Sequence, residues 1–356
     1  MEAGTITPAG ERGSALHRSP AARLPDRTLK WGLTALSLGV IVLIAYFFVR
    51  LVLESEPVFR QVGVVHFLFS MDWVPSKQLY GALPLLAGTL ITSAIALLLG
   101  IPVAVATALY ITELAPRRIR GPLTVVVDLL AAVPSVVYGL WGFFFLVPKL
   151  QPAERWFADT FSFVPFVGGT VTGPNYFVAG LILAIMILPI ASAISREVIS
   201  TVPPEHKEAA LALGATRWEM IRMAVLPYAR GGIAGGAMLG LGRAIGETIA
   251  VKLVIGDAPL VGHSIFQQGY TLAAVIANEF GEAASDPLHR AALIAAGLVL
   301  FVLTLGVNAI ARVFVVHAER GQRAATSPAG DPRAVAAGVT SPAGGPRAVA
   351  GRRKSK

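Results

Sequence analysis

Arg243 and Glu247 stand four residues apart within "GRAIGETIAVKLVIG" (242–256), a stretch otherwise apolar enough for a lipid bilayer. A charged side chain at mid-bilayer costs about 3 kcal/mol on insertion scales, so each such residue needs a reason to be there. At a spacing of four the two share one face of a helix. Two chemistries fit them. In one, guanidinium and carboxylate satisfy each other inside a helix bundle and serve structure alone. In the other, Arg243 offers its planar fork of donors to a passing oxyanion. Glu247 then competes for the guanidinium and keeps the hold weak enough for release. Because intramembrane ionisable groups are functional by default, the anion path is the reading adopted. Guanidinium geometry alone does not separate phosphate from sulfate.

Two more charges join this candidate pathway. Lys252 lies toward the outer end of the same stretch and either snorkels outward or adds positive charge at the mouth. Asp128 lies six residues before Pro134 of "AAVPSVVYG" (131–139) and either pairs with a basic group or caps backbone freed by the proline. Arg50 reads as a snorkelling anchor. His66, His206, His263, His289 and His317 show no ligand spacing and there is no cysteine, so no metal site and no disulfide is expected. No lysine follows a glycine, so a Walker A phosphate loop is missing from the sequence and ATP would have to be hydrolysed by another chain.

These residues need a membrane scaffold, and the composition supplies one. Of 356 residues, 54% are hydrophobic and 14% charged, against about a quarter charged in a soluble domain. Six apolar runs are long enough to span: 32–53, 81–113, 121–147, 174–195, 229–256 and 289–316. Gly100 and Pro102 predict a kink or tilt in the second, and Pro134 places another proline inside the third. Lys and Arg gather in 1–30, 114–120, 196–228 and 317–356, whereas 257–288 has none. This bias places both termini in the cytosol. It also accounts for the net charge of +9 without nucleic-acid binding. Residues 1–30 lack the apolar core of a signal peptide. At the other end, "TSPAGDPRAVA" (326–336) recurs as "TSPAGGPRAVA" (340–350), a composition that cannot build a core. The expected organisation is a basic cytosolic segment 1–30, an all-α six-helix membrane domain 31–318, and a disordered basic tail 319–356. In the outer loop 270–284, Leu272, Val275, Ile276 and Phe280 share a helical face and predict a short helix lying at the interface.

The cytosolic loop 203–227 predicts two short helices with a break. Pro203 and Pro204 can start a helix, Gly214 can end it in the left-handed conformation, and Thr216 and Glu219 can form a capping box for the next. Pro227 is expected to separate that helix from the fifth span. Gly232, Gly236, Gly240 and Gly246 give small-xxx-small spacings for close helix packing, within this bundle or against a second subunit.

Glu208-Ala209-Ala210, Gly214 and Leu226-Pro227 resemble the EAA loop of ABC importer permeases, with Ala224 where that family usually has isoleucine. "LLAAVPSVVYGLWG", "GLGRAIGETIAV", "TLAAVIANEFGEA" and "DPLHRAALIAAGLVLFVLTL" look like the PstC-type permeases of phosphate-specific importers, over about 31–318. The resemblance implies a type I permease of a bacterial inner membrane, half of a translocation pathway. It implies a PstA-type sister permease, a PstB-type ATPase dimer holding ATP and magnesium, and a PstS-type extracytoplasmic protein delivering inorganic phosphate. It implies that the loop docks on the ATPase as a coupling helix, that Arg243 and Glu247 match the family's charged pair, and that the glycines meet the sister permease. Lys252 departs from the family's usual apolar residue. The alternatives are a permease for another oxyanion such as sulfate, or a secondary transporter driven by an ion gradient. The latter commonly shows inverted repeats, which the sequence lacks. A membrane-bound enzyme or sensor would need a catalytic cluster or a sizeable soluble domain, and the loops supply neither.

Overall fold

A computed structural model describes residues 24–261 and 264–326. The expected disordered tail beyond 326, the first 23 residues and His263 lie outside the described residues. What is described is mostly helical, with one small hairpin and irregular segments at 161–175, 256–261 and 264–271. The long first helix α1 (Leu24–Val62) is followed by a short α2 (Val64–Phe69) and by strands β1 (Trp73–Val74) and β2 (Leu79–Tyr80). The strands pair antiparallel, Trp73 opposite Tyr80. Then come α3 (Leu83–Leu109), a π-helical turn at Tyr110–Leu114, and α4 (Arg117–Ala132), α5 (Ser135–Trp141) and α6 (Val147–Thr160). The second half holds α7 (Tyr176–Ser200), α8 (Pro204–Ala212), α9 (Arg217–Met220), α10 (Leu226–Gly246), α11 (Ile249–Ile255), α12 (Leu272–Glu279) and α13 (Pro287–Thr326).

Among the described residues four helices are long and apolar enough to cross a membrane: Thr28–Val62, Leu83–Leu114, Tyr176–Ser200 and Pro287–Val313. A fifth crossing is counted if Arg117–Ala132 and Ser135–Thr160 form one broken span. Two of the six expected spans are therefore interrupted. The third stops at Ala132 because Val133, the residue before Pro134, is held extended (φ −69°, ψ 127°). The fifth breaks after Gly246, where Thr248 Oγ1 donates to the Gly246 carbonyl at 3.2 Å and Glu247 Oε1 accepts from Ala250 N–H at 3.4 Å. Side chains that bind local backbone compete with the helical ladder.

Pro227, expected to end a helix, instead sits in the first turn of α10. The π-helical turn at Ile221–Val225 leads straight into that helix. Its wider coil gives room where the proline ring would otherwise press on the carbonyl four residues back. At its far end, α13 runs to Thr326, past the expected boundary at 318.

Two compact units are formed. Among the described residues, one comprises those up to Ser93, Ser135–Ile182 and Ile245–Thr304; the other comprises Ala94–Pro134, Leu183–Ala244 and those from Leu305 on. The first unit is centred on Phe67, Trp73, Tyr80, Leu85, Tyr270, Leu272, Val275 and Leu293. The short helix expected over 270–284 is present as α12, with Leu272 and Val275 fully buried in this core and Phe280 exposed. Tyr176 donates from its hydroxyl to the Leu260 carbonyl at 2.9 Å. Its ring fills the space that a side chain at position 269 would need, which is why glycine stands there. In the second unit the apolar centre is Ala108, Leu109, Ile199, Val202, Met220, Ile221, Val225 and Ala229.

Candidate functional site

The 203–227 loop lies in the second unit. Pro204 opens α8 at a position where no helical hydrogen bond is lost. Gly214 closes it with φ +87°, and its N–H donates to the Leu211 carbonyl at 3.0 Å. Thr216 and Glu219 make the reciprocal capping box of α9. Thr216 N–H donates to Glu219 Oε2 at 2.8 Å, and Glu219 N–H to Thr216 Oγ1 at 3.3 Å. The hydrogen bond from the Thr216 backbone, then that from its hydroxyl, holds the Glu219 carboxyl below its usual range. Glu208 and Ala209 are exposed, Ala210 and Leu226 are half-buried, and Pro227 is exposed. Leu213 at the tip is 90% exposed and Trp218 64%. The loop thus presents an apolar tip beside an exposed EAA face and keeps Met220, Ile221 and Val225 in the unit's core.

The same loop carries an ion pair that sequence reasoning missed. Lys207 Nζ lies 2.6 Å from Glu113 Oε1, with side-chain exposures of 22% and 10%. Lys207 was legible only as part of the positive bias; its place directly before Glu208 was the available signal. Arg196 was missed in the same way. Its Nη2 binds Asp128 Oδ1 at 2.6 Å, which is the first of the two roles, ion pairing or backbone capping, open to Asp128.

Arg243 occupies the last turn of α10. It is exposed, and among the described residues of its own unit no ion pair holds its guanidinium. Glu247 falls after the helix end, so the pair does not ride one continuous helix. Lys252, on α11, lies 3.4 Å from Asp257 Oδ2, and each is about one third exposed (34% and 32%). Its charge is thereby largely matched. The glycines divide. Gly232, Gly236 and Gly240 face Val198, Ile194 and Ile187 of α7, and a Cβ on Gly232 would fall inside the Val198 side chain. Gly246 faces open space. Three of the four therefore serve packing within the chain.

A model of the family described as "Binding-protein-dependent transport system inner membrane component" matches residues 96–319. The chain is 42% identical over 286 residues to the Pasteurella multocida protein named Phosphate transport system permease protein PstC, covering 79% of this chain and 88% of that one. It is 45% identical over 256 residues to the Mesorhizobium japonicum protein of the same name, covering 70% and 78%. With the Mycobacterium tuberculosis protein named PstC 2 it shares 43% over 298 residues, covering 82% and 92%. Among solved structures, a bacterial ABC transporter that imports the acidic polysaccharide alginate contains a chain matched with TM-score 0.56 and 21% identity, covering 83% of this chain and 98% of that one. That likeness shows a shared fold.

Proposed function

We propose that this chain, which belongs to the family of binding-protein-dependent transport system inner membrane components, is the PstC-type permease subunit of an ATP-driven phosphate importer. It is a multi-pass membrane protein. The observation that carries the substrate is the identity of 42% over 286 residues to a protein named as a phosphate permease. The residue chemistry agrees with it. An exposed guanidinium, with no carboxylate neutralising it among the described residues of its own unit, is suited to an oxyanion that must be bound and let go.

In this reading the chain crosses the membrane six times, α10 and α11 together making one interrupted crossing, with both termini cytosolic. A PstS-type protein delivers phosphate to the outer loops, and a PstA-type permease completes the pathway. A PstB-type ATPase dimer binds ATP and magnesium and receives the 203–227 loop. Movement of that loop rocks the helices and presents the Arg243 region outward, then inward. Glu247, on the same stretch of chain, supplies the competing carboxylate that keeps the hold weak.

The test is phosphate uptake by proteoliposomes containing the whole complex. Arg243→Gln is expected to abolish uptake while the complex still assembles. Normal uptake by a well-assembled Arg243→Gln complex overturns the anion role. Competition by sulfate at equal concentration separates phosphate from other oxyanions.

A further inference from the structure

We propose that the Lys207–Glu113 ion pair is the strut through which movement of the 203–227 loop reaches the junction of α3 and α4; the role rests on the permease reading above. The two halves of the loop are anchored differently. From Met220 to Val225, three side chains are buried in the apolar centre of the unit. By contrast α8, which carries Glu208 and Ala209, buries no residue at all. Ala210 packs against that centre from the edge, and Lys207 supplies the charged tie. Without the tie, α8 could tilt while the rest of the loop stayed still, and a push on its exposed face would be dissipated.

The other end of the strut is placed where a push has an effect. Glu113 belongs to the π-helical turn Tyr110–Leu114 that ends α3. Immediately after it Ala115 is extended (φ −65°, ψ 135°), and Pro116 caps the start of α4. Arg120 Nε donates to the Ala115 carbonyl at 3.0 Å, so the first turn of α4 is tied to the same junction. π-helical turns recur at functional hinges, and element ends are where changes of φ and ψ are absorbed. A displacement of α8 in either direction therefore moves the segment that sets the angle between two membrane helices. An ion pair is suited to this task because it resists both separation and sliding. With exposures of 22% and 10%, it is drier than the surface pairs that contribute little.

The experiment uses the full complex with its ATPase and binding protein in proteoliposomes, measuring phosphate uptake and ATP hydrolysis together. Lys207→Met and Glu113→Gln are each expected to raise the ATP consumed per phosphate moved by about fivefold or more, the lower edge of usual coupling effects. The reciprocal double variant, Lys207→Glu with Glu113→Lys, is expected to return the ratio to within about twofold of the parent, as pairwise coupling requires. Single variants with an unchanged ratio overturn the proposal. So does a raised ratio that the reciprocal variant fails to restore, because general loss of packing would not be repaired by exchanging charges. Should Lys207→Met fail to assemble, Glu113→Gln, which leaves the ammonium an acceptor, decides the matter. An unmodified complex that hydrolyses ATP without moving phosphate overturns the transport reading instead.

Discussion

Arg196 on α7 reaches Asp128 on α4 at 2.6 Å, and the two ends of this bond sit in different surroundings. The Arg196 side chain is 13% exposed and the Asp128 side chain 53%. Arg196 Nε is buried without a hydrogen-bond partner. The carboxylate is therefore the main compensation for a largely desolvated cation. Removing one partner of a fully buried pair costs about 3–5 kcal/mol. Exposure on the aspartate side lowers this, to on the order of 2 kcal/mol. Asp128→Asn is expected to destabilise by about that amount and Arg196→Met by less, since the first leaves a largely buried cation unpaired and the second leaves a carboxylate that water can reach. Thermal unfolding of the purified complex measures both, and equal losses would contradict the asymmetry.

The exposed EAA face predicts a separation of assembly from coupling. Glu208→Arg reverses a charge on a side chain that packs against nothing in the chain's core. Gly214→Pro demands φ near −65° where the backbone has +87°. Both variants are expected to lose stimulation of ATP hydrolysis by phosphate-loaded binding protein, Gly214→Pro also losing the left-handed turn between α8 and α9 and its N–H donation to Leu211. Fully stimulated hydrolysis in both would remove the loop from the coupling path.

Close packing of α10 on α7 makes a steric prediction. Gly232→Ala places a methyl inside the Val198 side chain, whereas Gly235→Ala meets open space. Overpacking costs about 1–3 kcal/mol. The first substitution is expected to lower the unfolding temperature, and the second to leave it unchanged or raise it slightly through helix propensity. The double variant Gly232→Ala with Val198→Ala should recover most of the loss.

Glu219 gives the loop a dependence on pH of known sign. Its carboxyl is held below its ordinary value of 4.5 by the hydrogen bonds from Thr216. A group whose folded value is depressed contributes its stabilisation fully above the unfolded value and loses it as pH falls through the folded one. Amide exchange at Arg217–Met220 is expected to be pH-insensitive near neutrality, beyond the intrinsic exchange rate, and to lose protection progressively below about pH 4.5. Glu219→Ala should remove that dependence and leave exchange in α10 unaffected.

The sequence spoke most clearly where one residue type dictates local geometry. Gly214 took the left-handed conformation, and Thr216 and Glu219 formed their box, because each outcome follows from neighbours within four residues. Pro227 misled for the same reason: its local rule assumes an α-helical coil, and a π-helical turn just upstream changed the geometry it had to satisfy. The break after Gly246 was hidden because Arg243 and Glu247 fit a continuous helix by spacing, while the competing bonds of Glu247 and Thr248 carry no periodic signal. Lys207 with Glu113, and Arg196 with Asp128, are 94 and 68 residues apart in the chain. Their pairing is a property of the folded arrangement that no local pattern encodes. The burial of α12 was equally hidden, since a helix at an interface and one inside a core can share the same apolar face.

Tyr176 and Gly269 constrain each other's inheritance. The ring stands where any β-carbon at 269 would lie, and its hydroxyl fastens the carbonyl of Leu260. A lineage that replaced the glycine first would pass through a misfit, whereas one that trimmed the tyrosine first would leave a hole and an unbound carbonyl. The two positions are therefore expected to change together or not at all, a historical lock on this part of the core set by a single aromatic ring.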